Sequence, residues 1–201
     1  MTRDEKRAVT RAELVAAAER LFVSQGFHAT SVDAIADEAG YTKGAVYSNF
    51  ATKEDLFFAV YDRRVRAGAA DLEQRFGDED FGAATERLAQ DVAARRDADD
   101  GWLAVFFEFW SHVLRHPEHR ERFAALHAEA IRPAAEALER HAAAAGTELP
   151  DEARKLATAW YAMQVGLSLE RLTQPEVVDP ELGARMMRLQ WQDLDRGGSR
   201  G

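Results

Sequence analysis

The sequence predicts an all-α fold, with an N-terminal three-helix head followed by a larger helical domain. Composition is the first support. Alanine and leucine, both strong helix formers, number 38 and 17 of 201 residues, against 2 Ile, 13 Val and 9 Thr. Patterning is the second. Hydroxyl-led capping sequences recur ahead of apolar residues spaced three or four apart, and Gly or Pro falls where each run stops. The third is what is missing: with Cys 0, no disulfide, thiolate zinc site or iron–sulfur cluster is available.

Thr10-Arg11-Ala12-Glu13 reads as a capping box, so a first helix is expected from there, ahead of Leu14, Ala17, Ala18, Leu21 and Phe22 at helical spacing. Gly26 stops it. Thr30-Ser31-Val32-Asp33 opens a short helix with Val32, Ile35, Ala36 and Ala39 on one face and Gly40 at its end. Between Gly40 and Thr52 there is room for one more short helix, from Thr42 to about Ser48. Thr52-Lys53-Glu54-Asp55 then opens a longer connecting helix through Leu56 and Val60, extending toward Phe76. Five further helices are expected beyond it, with breaks near 77–82, 97–101, Pro117, 146–150 and 174–180.

A short helix pair with glycine in its turn is the helix-turn-helix layout. Gly40 makes the bend, Ala36, Ala39 and Ala45 permit close approach, and Val32, Ile35, Val46 and Phe22 are expected to fill the shared core. The outward set on the third helix is Thr42, Lys43, Gly44, Tyr47 and Ser48. These are mostly short or hydrogen-bonding side chains around one cation, suited to a groove about 12 Å wide.

The net charge of −9 is unevenly placed. Residues 1–66 hold 10 basic and 10 acidic residues, so the remaining 135 hold 16 and 25, which is the whole imbalance. A neutral head on an acidic body is compatible with binding a polyanion through the head alone. Arg3, Lys6, Arg7 and Arg11 lie in an arm expected over 1–9 and just beyond it. That arm reads as a flexible tail giving modest salt-sensitive help, the alternative being a strand of cations in an adjacent groove. No run approaches the roughly 18 apolar residues of a membrane helix, and the N-terminus lacks the apolar core of a signal peptide, so a cytoplasmic location is expected.

Leu21-Phe22, Gly26-Phe27, Thr30-Ser31-Val32, Ile35-Ala36, Ala39-Gly40, Lys43-Gly44-Ala45-Val46-Tyr47, Phe50 and Lys53-Glu54-Asp55-Leu56 together resemble the DNA-binding domain of the TetR family of bacterial transcriptional regulators. The resemblance covers about a quarter of the chain. It implies a head over 10–60 whose third helix enters the major groove. It places Thr42, Lys43 and Gly44 at phosphates or base edges, Tyr47 at a phosphate and Ser48 at a variable base-reading position. For Tyr47 the alternative is a half-buried core ring. The resemblance further implies that Lys53 clamps a phosphate, the competing view being a solvated lysine, and that Thr30 and Ser31 cap a helix and touch phosphate. Asn49 stands where many relatives carry His, and Tyr41 where many carry Val; Phe50 is expected under the fourth helix. Residues 61–194 are implied to bind a ligand and form a homodimer; 195–201 read as a disordered tail, and no cofactor is expected.

Residues 102–110 are the densest aromatic stretch, apolar on two faces and so expected to be buried on most sides. Trp102, Phe106, Phe109 and Trp110, with Phe123, Trp160, Met163 and Gln164, are the candidate lining of a pocket for a hydrophobic effector, although for any single ring plain core is the simpler reading. Glu108, Glu129 and Arg132 read as solvated surface charges, the alternative being charges of the pocket. His112, His116, His119 and His127 invite a metal reading, but Pro117 ends the helix there and histidine suits a helix C-terminus, so no metal is expected.

Leu156 and Leu167 on one late helix stripe, Leu172 beside it, and Leu182, Met186 and Leu189 on the next helix are the candidate dimerisation residues. Met187, Trp191 and Leu194 broaden that surface; burial within the subunit is the alternative. No nucleophile–base pair or phosphate-cradling glycine loop supports an enzyme, and Lys43-Gly44 lacks the rest of a P-loop. The resemblance implies instead a dimeric regulator released from a palindromic operator by a small molecule, with repression by promoter occupancy the expected outcome and activation the alternative.

Overall fold

The computed structural model describes residues 2–78, 100–179, 182, 183, 185, 186 and 189. Among these are seven α-helices and no strand. They are α1 (Arg3–Gln25), α2 (Val32–Ala39), α3 (Lys43–Asn49), α4 (Lys53–Asp78), α5 (Asp100–Arg115), α6 (Arg120–Ala145) and α7 (Ala153–Thr173), with a 3₁₀ turn at Pro117–His119. The expectations for 79–99, for Met187, Trp191 and Leu194, and for the 195–201 tail lie outside the described residues.

Helix α1 starts well before Thr10. Thr2-Arg3-Asp4-Glu5 is itself a capping box: the Thr2 hydroxyl accepts from the Glu5 amide at 3.2 Å, and the Thr2 amide donates to Glu5 at 2.7 Å. With no Gly or Pro before Thr10, the helix runs straight through the second such sequence. The residues expected as a flexible arm are its first turns. The other starts fall where the sequence placed them: Ser31 accepts from Ala34, Thr42 from Ala45, and Thr52 from Asp55. Gly40 ends α2 in the left-handed region at φ 72°, which a side chain would strain.

The chain divides into two compact units, one of residues 1–65 and 99–126 and one of 66–98 and 127–201. Helices α4 and α6 contribute to both. The first unit is centred on rings. Phe22, Phe27, Phe57, Phe58 and Phe109 are almost wholly buried, and Phe109 stacks on Phe57 at 3.9 Å between centroids. Gly101 lets α5 lie against α1, since a Cβ there would stand 2.8 Å from Val23 Cγ1. The head of 10–60 expected from sequence therefore shares its core with α5, which sequence reading assigned to the other domain.

The second unit has a core of Ile131, Ala134, Ala135, Ala137, Leu138, Ala153, Ala157 and Trp160, with Leu72, Leu149, Leu156, Tyr161 and Met163 packed against it. Leu156, expected at a subunit contact, is thus engaged within its own chain. The stripe it shares with Trp160 and Met163 faces the neighbouring helix.

Candidate nucleic-acid interface

Helix α3 is short because Gly40 and Thr42 fix its start and the extended Phe50, at φ −140° and ψ 122°, ends it. Val46 and Phe50 point inward, and the ring of Phe50 is covered by the Arg11 guanidinium at 4.5 Å. Thr42, Lys43, Gly44, Tyr47 and Ser48 are all exposed, Tyr47 by 49%, so its ring is on the outer face rather than in the core.

The Thr42 and Ser31 hydroxyls each accept from a helix amide, leaving their O–H free to donate to an anion. Ser48 donates to the Ala45 carbonyl at 2.8 Å and accepts from Asn49 Nδ2 at 3.3 Å, which leaves its oxygen one lone pair for a further donor. Lys43 pairs with Asp33 across the turn, Nζ to Oδ1 at 2.8 Å, and the hydrogen bond and charge of Asp33 raise its pKa. An exposed pair of this kind is weak, so a phosphate can replace Asp33.

Two residues expected at phosphate are turned elsewhere. Thr30 is 1% exposed; its hydroxyl donates to Gly26 at 2.7 Å, with Leu21 at 3.3 Å, so its side chain holds the α1–α2 loop and does not reach the surface. Lys53 directs its ammonium at the carbonyls of Phe27 at 2.8 Å, Thr30 at 3.0 Å and His28 at 3.3 Å, and sits 4.5 Å over the Phe27 ring. An ammonium has three donors, and all three are engaged. Burial lowers its pKa, opposed by the charges of Glu54 and Glu108. Lys53 positions the α1–α2 loop.

Sequence reading missed the partner of this clamp. Glu108 on α5, expected as a solvated charge, accepts from the amides of Phe27 and His28, both at 2.8 Å. A Cβ at Gly26 would stand 2.7 Å from its Oε2. The loop is held by an ammonium on its carbonyls and a carboxylate on its amides, from residues about 25 and 80 positions away. A sequence holds no local signal for either contact. Tyr41 likewise finds a tertiary role: its hydroxyl donates to Glu13 and accepts from Thr10.

Behind the clamp, four of the six histidines gather. His112 stacks on His116 at 4.0 Å between centroids, with His28 at 5.6 Å and His119 at 5.8 Å. His112 Nε2 is buried without a hydrogen bond, 3.5 Å from Glu54 Oε1. Burial, then the charge of His116, lowers the His112 pKa.

The residues expected around an effector fall into both units. Trp102, Phe106, Phe109, Trp110 and Phe123 are in the first. Phe109, with 0% exposure and packed against Phe27, Phe57 and Phe58, is core and presents no surface to a ligand. Phe106 and Phe123 are also buried, 5.9 Å apart and each against Tyr61 and Trp110. Trp102 and Trp110 are half-buried, and the Arg64 guanidinium lies 4.4 Å over Trp102. Trp160, Met163 and Gln164 are in the second unit, where Trp160 Nε1 and Gln164 Nε2 are buried without a hydrogen-bond partner. Of the expected dimerisation residues, Leu172 and Leu189 are exposed, while Leu167, Leu182 and Met186 are half-buried.

Comparison with known proteins agrees with this geometry. Residues 14–60 match the family model of bacterial regulatory proteins of the tetR family, and 82–194, more than half the chain, match that of the BetI-type transcriptional repressor C-terminal region. The transcriptional activator FasR of Mycolicibacterium smegmatis is 42% identical over 65 residues, which is 32% of this chain and 28% of that protein. The curated relatives first matched are spanned over well under two thirds of their length. Among solved structures, a protein assigned as a transcriptional regulator in Rhodococcus sp. RHA1 superposes with a TM-score of 0.74 at 22% identity, covering 91% of this chain and 95% of its own. One with the same assignment from Saccharomonospora viridis, solved with choline, gives 0.72 at 19% identity over 92% and 96%. These structures share the fold, and the two family models carry the assignment: the chain belongs to the TetR family of bacterial transcriptional regulators.

Proposed function

We propose that the chain is a homodimeric repressor that reads a palindromic operator with α3 and leaves it when a small molecule binds the second unit. One observation carries the DNA reading. Thr42, Lys43, Gly44, Tyr47 and Ser48 form a continuous exposed face at α3 while Val46 and the following Phe50 are buried, and Ser31 at the start of α2 is a further exposed hydroxyl. Phosphate contacts position such a helix, and base edges specify the site. Half-sites one turn apart, about 34 to 36 Å, require two copies of the head.

Self-association is supported by Leu169, Leu172, Val177 and Leu189, large apolar residues left 37–62% exposed in the second unit. Effector control is supported by Trp160 Nε1 and Gln164 Nε2. These buried donors lie four residues apart on α7 and lack an acceptor, which a ligand oxygen beside an apolar group would supply. The choline complex of the Saccharomonospora viridis protein is consistent with small-molecule occupancy of this fold. Release then follows from differential affinity, as a ligand shifts the dimer only as far as it prefers the form that cannot span both half-sites. Repression follows from occupancy of a promoter.

A gel shift against the DNA flanking its own gene tests the reading, with sedimentation of the same sample reporting the dimer. Lys43→Ala and Tyr47→Ala are each expected to weaken the shift about tenfold without changing thermal stability, and Lys43→Ala to lower the salt slope by about one. A sequence-specific shift unaltered in both variants would move the interface away from α3.

A further inference from the structure

We propose that Glu54, His112 and His119 form a binding site for a divalent d-block cation of the zinc class. The three side chains come from three elements of the first unit, namely the first turn of α4, the last turn of α5 and the end of the 3₁₀ turn. One ligand atom from each lies within 4.8 Å of the other two. Zinc at about 2.0–2.1 Å from each ligand in tetrahedral geometry sets neighbouring donor atoms roughly 3.4 Å apart. Glu54 Oε1 and His112 Nε2 already stand at that spacing, 3.5 Å apart, and a nitrogen of His119 lies within reach of the same point.

A second feature points the same way. Nε2 of His112 is buried with no hydrogen bond, one of four such side-chain atoms among the described residues and the only imidazole nitrogen of the four. Expectation from sequence set the metal aside because the only helical pair visible there, His112 and His116, stands at a helix end. The set that converges is a different one. His116 lies flat against His112 instead, with its Nδ1 3.2 Å from Glu118, and buttresses the ring.

The donor set selects the ion. Two imidazoles and a carboxylate suit Zn²⁺, Co²⁺ or Ni²⁺; imidazole is a poor ligand for Mg²⁺ and Ca²⁺, and the absence of any sulfur donor among the three disfavours Cu⁺. Three protein ligands leave a fourth position for water. The consequence is local. Glu54 follows Lys53, so the ion would tie the start of α4 to α5, the same two helices that clamp the α1–α2 loop through Lys53 and Glu108.

Metal-stripped full-length protein titrated with Co²⁺ and followed by its visible absorption, with Zn²⁺ competition, tests the site. One Co²⁺ per chain is expected, displaced by Zn²⁺. Affinity should fall at least about tenfold in His119→Gln and in Glu54→Gln, which is only partly buried and keeps its shape, and stay unchanged in His141→Gln. Circular dichroism checks that each variant is folded. Absence of stoichiometric binding, or binding equal in Glu54→Gln, His119→Gln and wild type, overturns the site, as does an equal loss in His141→Gln, which marks surface chelation. This outcome is independent of the gel shift, so the site and the operator reading fail separately.

Discussion

In the first unit Phe22, Phe27, Phe57, Phe58 and Phe109 are sealed from water, whereas the described core of the second unit sets Ala134, Ala135, Ala137, Ala153 and Ala157 among Ile131, Leu138 and Trp160. Each phenylalanine contributes a large apolar area and a directional contact, while an alanine contributes one methyl. The polar groups differ in the same sense. The first unit pairs its partly buried charges: Glu19 with Arg63 and Arg64, Asp55 with Arg122, and Lys53 and Glu108 with backbone. In the second, His127 and Tyr161 are shifted by burial, Tyr161 up to about 12. Interlocking rings and paired charges constrain their neighbours through many directional contacts, and a methyl group constrains them through few.

The largest expected effect tests the ring core. Phe109→Ala should cost about 3–5 kcal/mol and lower the melting temperature by many degrees, because its surroundings are rings that cannot collapse into the space. A loss under about 1 kcal/mol would show that the first unit is no more tightly packed than the second.

The loop clamp comes next. Glu108→Ala and Lys53→Met each remove charge-assisted hydrogen bonds from partly buried backbone groups and should cost about 1–2 kcal/mol, read by denaturant unfolding. Both should also weaken operator binding although neither side chain faces the groove. If Lys53→Met weakened binding and lowered the salt slope while leaving stability intact, Lys53 would be a phosphate contact after all.

The smallest effect belongs to the second unit. Burial holds the pKa of His127 below its ordinary 6.5, so the folded chain takes up this proton at lower pH than the unfolded chain does. As pH falls through 6.5 the unfolded chain gains a proton that the folded chain refuses. Stability therefore drops on acidification below that value, and the term is absent above it. His127→Gln should flatten the melting temperature between about pH 7 and pH 5 relative to wild type. An unchanged slope would assign the acid sensitivity elsewhere.

Much of the head was legible in the order of residues. Ser31, Thr42 and Thr52 cap their helices, Gly40 makes the turn, and Lys43, Tyr47 and Ser48 face outward, because caps, turns and helical faces are set by residues three or four apart. Even the early start of α1 was written locally, in Thr2 and Glu5. What needed the folded chain was the destination of side chains whose partners are remote. Thr30 turned inward to Gly26, Lys53 to carbonyls more than twenty residues back, Glu108 to amides 80 and 81 positions away, and Leu156 to its own core. Each belongs to a residue type that reads equally well as surface or anchor. Periodicity states which face a residue occupies, and only the packed neighbour decides what that face meets.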